Sequence, residues 1–344
     1  MTTLPQLTNA VEIVGKLKSV NLEKLVSKNG SNKKYIKGSV TVTSEYGGKV
    51  HEHRISVFQM EKNKTGAVSK LYTGLETIIN EYKAADVVGI ENADRLRVTG
   101  EMQSNEYYNK DGEFKGFNDI KGVFFNRLDE NTDGPDKAVA SIEVVVRGFV
   151  PVIVEETGEV THHTVNAFTV GYGERVVELR KIVVGNALVD AMNDLYPENT
   201  TGRLSFKLNN YVEKIESAPQ EEPVTMSHGF GSEETVEQTR VFDRYTSNLE
   251  ITGGDLPFEE PKALTEEQIA DALRKLAVAR EEMKASAVNT PATPPASTNT
   301  GFGIESQLPT GMAPTIPAVP TTPTIPATQP TATVPVSEDD VPDF

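Results

Sequence analysis

The feature that most restricts how this chain folds is an order of strand and helix patterns that occurs twice. The first pass opens with AVEIVGKLKSV, where Val11, Ile13 and Leu17 alternate with polar residues, as a strand facing a core on one side requires. KYIKGSVTVTSEYGGKVHEHRISVF follows as a hairpin: Ile36, Val40 and Val42 alternate, and Gly47 and Gly48 supply a turn that tolerates positive φ. SKLYTGLETIINEYKAA then sets Leu71, Leu75, Ile78, Ile79 and Tyr82 at helical spacing. DRLRVTGEMQSNEYY and EFKGFNDIKGVFFNRL, joined by a turn over Asn109 to Gly112, form a second hairpin.

The resulting order, β-β-β-α-β-β with one helix between the third and fourth strands, is that of an OB-fold, a five-stranded Greek-key barrel that recurrently binds oligonucleotides. Another small antiparallel barrel is the alternative. DENTDGPDK lacks apolar periodicity and reads as a linker over 129–137. SIEVVVRGFVPVIVEE, HTVNAFTVGYGERVVELRKIVV, the helical NALVDAMNDLYP, TGRLSFKLNNYVEKI and TRVFDRYTSNLEITG then repeat the first pattern, with a polar excursion before the last strand. The expected fold is therefore mainly β: two tandem OB-like five-stranded barrels over 8–128 and 138–257. Tandem barrels lengthen a binding groove rather than build one catalytic cleft. An amphipathic helix is expected over 264–285, where Thr265 and Gln268 form a capping box and Ile269, Ala272, Leu273, Leu276 and Met283 trace one apolar stripe. It either docks on a barrel or pairs two chains as a homo-oligomer.

Charge separates the first repeat from the rest. The chain carries 34 Lys and Arg against 50 Asp and Glu, a formal charge of -16. Residues 8–128 hold 19 of the basic residues against 15 acidic ones, leaving 15 against 35 elsewhere. The first barrel is thus the part suited to a polyanion, because cations that neutralise phosphates dominate such affinity. Cysteine is absent, which excludes disulfides, thiolate zinc sites and a cysteine nucleophile. The first residues lack a signal-peptide pattern and no apolar run approaches the roughly 20 residues that span a bilayer. A protein of the cytoplasm, of the host cell if phage-encoded, with no membrane partner is expected.

From Ala285 onward the chain is Pro, Thr, Ala, Ser and Gly, too poor in large apolar groups to offset the entropy of ordering, so 286–344 is expected to be a disordered tail. It ends in SEDDVPDF. A barrel of this order, a Pro-rich linker and an acidic tip closing in Pro and Phe together resemble bacterial and bacteriophage single-stranded DNA-binding proteins. Glu338, Asp339, Asp340, Val341, Pro342 and Phe344 follow that family's tip of acids, an apolar residue, Pro and Phe, with Asp343 inserted before the last residue. The resemblance implies that the tip recruits replication or recombination proteins, its terminal Phe entering an apolar, basic pocket while the acids steer encounter. A merely solubilising terminus is the alternative. The tip also competes with DNA for a basic groove if it folds back.

For contact with single-stranded DNA, the candidates are Lys33, Lys34, Tyr35 and Lys37, continuing through Tyr46, Lys49, His51, His53 and Arg54 on the first hairpin. Tyr107, Tyr108, Phe114 and Phe117 on the later hairpin form a second platform. Cations track phosphates, and aromatic rings accept any base by stacking. Alternation buries every second strand residue, so half of these rings are expected in the core. His51 and His53 share a strand face, but further ligands for a metal are not evident, and none is expected. No phosphate-binding loop, dinucleotide fingerprint, H-E-x-x-H or G-x-S-x-G motif is present, so neither an enzyme nor a cofactor is expected. The function expected is sequence-tolerant binding of single-stranded DNA in phage replication or recombination. A phage structural or assembly protein built from tandem barrels and a DNA-mimicking interaction protein are the alternatives.

Overall fold

Two closed five-stranded barrels, joined edge to edge, account for nearly all the strands in a computed structural model that describes residues 3–27, 32–129, 134–154, 157–216, 220–222, 236–238 and 241–289. The first barrel consists of β1 (Asn9–Val26), β2 (Lys34–Tyr46), β3 (Lys49–Met60), β4 (Arg95–Tyr108) and β5 (Phe114–Leu128). Its strands pair in the order β1-β2-β3-β5-β4, and β4 returns to β1 to close the cylinder. The second consists of β6 (Lys137–Ile153), β7 (Val160–Gly171), β8 (Arg175–Gly185), β9 (Thr200–Glu216) and β12 (Val241–Gly254). It closes identically, β6-β7-β8-β12-β9 and back to β6. Between β9 and β12 the polar excursion carries a short ribbon, β10 (Gln220–Glu222) with β11 (Val236–Gln238). Both barrels lie within a single compact unit.

Helix α1 (Lys70–Glu81) follows β3, and a single turn, α2 (Ala85–Val88), comes next. In α1, Leu75 and Ile78 are buried as the helical spacing predicts, and Tyr72 is buried where Leu71 was expected to be. Helix α3 (Asn186–Leu195) occupies the matching position after β8, burying Val189 and Met192. Strands β1 and β2 approach each other closely at Gly38 of β2. Gly38 has a φ of 148°, and a side chain there would overlap the carbonyl oxygen of Asn21. The β2–β3 turn places Gly47 and Gly48 at φ of 61° and 70°, the left-handed pair a two-residue hairpin needs.

The barrels are fused through backbone pairing as well as side chains. Asn9 to Val14 of β1 pair with Lys137 to Ile142 of β6, and one continuous core runs across the seam. The end of the segment expected to be a linker is anchored too: Asp136 forms an ion pair with Arg95 at 2.9 Å. Helix α4 (Glu266–Asn289) begins with the anticipated capping box, Thr265 and Gln268 bonding reciprocally at 3.0 and 3.3 Å. Leu264 ahead of it, with its own Ile269 and Ala272, packs on Phe168 and Val170 of β7 and on Leu4 and Leu7. This helix therefore docks within the chain. Further along, Arg280 reaches Glu106 of β4 at 2.6 Å and Glu178 of β8 at 2.7 Å, tying both barrels to α4. Burial alone would raise the Glu106 carboxyl, but bonds from Arg280 and Arg180 outweigh it and hold the group at about 2.

A second joint forms where the β2–β3 tip meets β9. The rings of Tyr46 and His51 stack 3.8 Å apart, and Tyr211 of β9 meets His51 edge-on at 5.1 Å. The Tyr46 hydroxyl donates to the carbonyl of Leu208 and lies 3.1 Å from His53 Nε2. With its single proton spent on that carbonyl, the hydroxyl receives His53 Nε2–H. The amide of Asn210 donates to His51 Nδ1 at 3.2 Å, so His51 is also held neutral. Burial pushes both imidazoles down, His53 to about 3.

Unfolded histidine titrates near 6.5, so below that pH the unfolded chain binds protons that folded His53 refuses, and stability falls as pH falls toward about 3. Depressed carboxylates such as Glu106 add their loss only below about 4.5. The urea midpoint is therefore expected to drop between about pH 6.5 and 4.5, with a visibly flatter slope in His53→Phe. Superimposable profiles for the two proteins would contradict the neutral joint.

Candidate nucleic-acid interface

Strand parity decides which side chains the first barrel offers to solvent. Across the β2–β3 ladder the pairs Val40↔Ile55 and Val42↔His53 point inward, whereas Lys37↔Phe58 and Thr41↔Arg54 point outward. Parallel pairing of Ser56 with Lys121 carries the outward face onto β5, and Asn105↔Phe117 and Tyr107↔Lys115 carry it onto β4. The outer face of β2-β3-β5-β4 thus gathers Tyr35, Lys37, Arg54, Phe58, Tyr107, Lys115, Phe117, Lys121 and Phe124. The rings of Phe58, Phe117, Tyr107 and Phe124 are between 46% and 52% exposed. Tyr35 is half-buried beside Phe58, ring centroids 5.5 Å apart. The Ser56 hydroxyl donates to Asp119 at 2.8 Å, placing one carboxylate in the middle of this face.

Of the residues singled out from sequence, Lys33, Lys34, Tyr35, Lys37, Arg54, Tyr107 and Phe117 lie on this face or at its β2 end. Lys34 leans on Glu61 at 3.5 Å, and Arg54 Nε donates to Ser39 Oγ at 3.2 Å. The others are placed elsewhere. His51 and His53 are buried, and with Tyr46 they form the joint to β9, leaving no surface for a strand of nucleic acid. Lys49 pairs with Glu213 and lies 4.0 Å over the Tyr211 ring, so it belongs to the same joint. Tyr108 and Phe114, centroids 5.4 Å apart, occupy the opposite side of their hairpin. Phe114 is packed between the guanidiniums of Arg180 at 5.2 Å and Arg280 at 4.9 Å. Tyr46, Lys49, His51, His53 and Phe114 thus lie at contacts between the barrels, and Tyr108 packs behind Phe114. Glu338, Asp339, Asp340, Val341, Pro342 and Phe344 lie outside the described residues.

Phe58, Lys115, Lys121 and Phe124 are the additions that the structure makes. Phe58 and Lys37 face each other across the ladder, and Phe58 shares the parity of Arg54, which was signal enough to find it. Phe124 was hidden by a register shift beside Gly100, which returns the strand to the outward phase one residue out of step. Among the described residues, no group of three or more His, Asp or Glu is placed to hold a metal ion. No helix among them is long and apolar enough to cross a membrane.

No curated protein matches the chain in sequence. Solved structures of the single-stranded DNA binding protein from Thermus aquaticus are similar to it. The wild-type protein shows 11% identity and a TM-score of 0.44, covering 76% of this chain and 99% of that one. A deletion mutant shows 13% identity and a TM-score of 0.43, covering 75% and 98%. Residues 8–288 match the model of the YorF family, so the chain belongs to the YorF family.

Proposed function

We propose that the first barrel binds single-stranded DNA with little sequence preference, in phage DNA replication or recombination in the host cytoplasm, and that the tail recruits proteins of the same process. The observation that carries this reading is the row of half-exposed rings on the outer face, interleaved with cations. Leaving Phe58, Phe117, Tyr107 and Phe124 partly in water costs apolar free energy that the isolated chain does not recover. Unpaired bases recover it by stacking on the ring faces, while Lys37, Arg54 and Lys121 follow the backbone phosphates. Duplex DNA offers no unstacked bases to such a face and is bound weakly.

The chain has no Trp, so the test is anisotropy of a dye-labelled oligo-dT titrated with the full-length protein at several salt concentrations. Stacking is worth about 1–3 kcal/mol per base, so Phe58→Ala is expected to weaken binding roughly 5- to 150-fold. Lys37→Gln and Lys121→Gln each reduce the slope of log affinity against log salt by about 0.7 for every phosphate left without its cation. Tyr172→Ala, which removes a ring 78% exposed on the second barrel, leaves affinity unchanged. Wild-type affinity in a Phe58→Ala/Tyr107→Ala double variant would remove the first barrel from the site.

The acidic tip, carried on a long tail, competes with DNA for the cations of this face. Removing residues 337–344 is therefore expected to raise DNA affinity several-fold at low salt and to change it little at high salt, where both attractions are screened. Equal affinities at low salt with and without those residues would refute the competition.

A further inference from the structure

The second barrel does not repeat the open face of the first. Its β7–β8 side is the counterpart of β2–β3, yet Phe168 and Val170 there are buried under α4 and under Leu4 and Leu7. On β8, Glu178 is bonded to Arg280, and the backbone of Arg180 exchanges hydrogen bonds with the Asn118 side-chain amide at 2.6 and 2.8 Å. A strand of nucleic acid finds that side closed, so any contribution from the second barrel has to come from another surface.

Such a surface lines the cleft between the barrels. The parallel pairing of β3 with β5 spans only Ile55↔Ile120 and Ser56↔Lys121, and the two strands diverge beyond it. The gap opens into a cleft of about 430 Å³ whose near wall includes Arg54, Ser56 and Phe117, all residues of the outer face described above. Its far wall carries Lys181 of β8, Asn210 of β9 and Tyr245 of β12, the last two in the paired stretch of their strands. The groove is therefore continuous with the proposed binding face.

The chemistry of the far wall fits a polyanion with bases. Tyr245 is 63% exposed, yet its hydroxyl donates to the Asn210 side-chain oxygen, and the Asn210 amide donates to the carbonyl of Glu52 on β3. One edge of the ring is thus fixed across the barrel seam while its faces stay open, so little side-chain entropy remains to be lost when a base stacks on it. Lys181 is exposed, and neither it nor Arg54 has a carboxylate within ion-pair distance among the described residues. Asp119 is the carboxylate in the cleft lining, and it already accepts from Ser56.

We propose that single-stranded DNA continues from the first barrel's face through this inter-barrel cleft, with a base stacked on Tyr245 and backbone phosphates on Arg54 and Lys181. This rests on the first barrel binding single-stranded DNA. The second barrel then extends the footprint without using its own β7–β8 face.

The test compares dye-labelled oligo-dT of about 8 and about 20 nucleotides, short and long against the roughly 4–16 nucleotides one OB-fold covers, on full-length protein. Tyr245→Ala and Lys181→Gln are expected to weaken the long oligonucleotide roughly tenfold and to leave the short one within twofold. Tyr245→Phe, which loses the hydroxyl bond and its preorganisation but keeps the ring, loses only about two- to threefold on the long oligonucleotide and leaves the short one unchanged. The proposal is overturned if the long oligonucleotide binds Tyr245→Ala as tightly as wild type, or if Tyr245→Phe and Tyr245→Ala lose affinity equally. Loss of both lengths in Phe58→Ala, with neither changed in Tyr245→Ala, leaves the first barrel as binder and removes the cleft. Failure of wild type to bind either length removes the parent reading instead.

Discussion

Strand β1 has three partners and only two edges, and the arrangement of both barrels follows from how it shares them. One edge pairs with β4 from Val11 to Lys16. The other pairs first with β6, from Asn9 to Val14, and then with β2, from Lys16 to Val26. The handover falls at Gly15, where a side chain would overlap the carbonyl of Thr43 and the hydroxyl of Ser44. Closing each barrel gives every strand a partner on both sides, although the parallel β3–β5 and β8–β12 contacts each span only two residue pairs. Because β1 also carries β6, backbone hydrogen bonds hold one barrel to the other, and the cleft between them is a built feature of the fold.

That seam explains why two repeats of one pattern have unequal surfaces. Once fused, the β4–β5 hairpin reaches across to β8, where Asn118 and Phe114 meet Arg180, and α4 adds Arg280 to the same cluster. Buried charges of this kind contribute specificity of arrangement more than net stability, since their desolvation offsets most of their attraction. Glu106 sits between two arginines and is only 9% exposed, so removing either guanidinium leaves a poorly solvated carboxylate. The second barrel thus gives up its β7–β8 face to structure, and the first keeps its equivalent face open.

How much of this was legible in the sequence depends on the range of the information. Strand and helix order was legible because alternation and helical spacing are local, and the Thr265–Gln268 cap was legible for the same reason. The inward placement of Tyr46, His51 and His53 was legible in principle. His51 and His53 share the parity of Ile55 and Val57, and Tyr46 shares that of Val40 and Val42, all four of them buried. Residue type, aromatic or basic, suggested a ligand, but parity with the apolar set decides which side of a barrel a residue takes. What local pattern cannot encode is the neighbour a half-exposed residue finds. Lys49 shares the parity of His51 and Phe114 that of Ile120, both on the inward side, but alternation does not reveal that Glu213 and Tyr211 cover one and Arg180 and Arg280 the other. The pairing of β1 with β6 belongs to the same class, since it joins residues far apart in the chain.

On the proposed reading, an anionic chain has to keep cations unspent where an anionic polymer would meet it. Several elsewhere on the barrels are neutralised: Lys18 pairs with Glu52 at 2.5 Å, Lys24 with Glu76 at 2.8 Å, and Arg203 and Lys262 both with Glu143 at 2.9 Å. Among the described residues, Lys37, Arg54, Lys121 and Lys181 have no such partner. Four such cations on this face and in its cleft would release few counterions, so on this reading charge alone supplies a modest part of the affinity and the rings supply the remainder. The exposure of Phe58, Tyr107, Phe117 and Phe124 is in that sense the counterpart of the acidic composition. A face richer in lysine would depend less on such rings, and on the proposed reading a face without them would hold a polyanion only weakly at physiological salt.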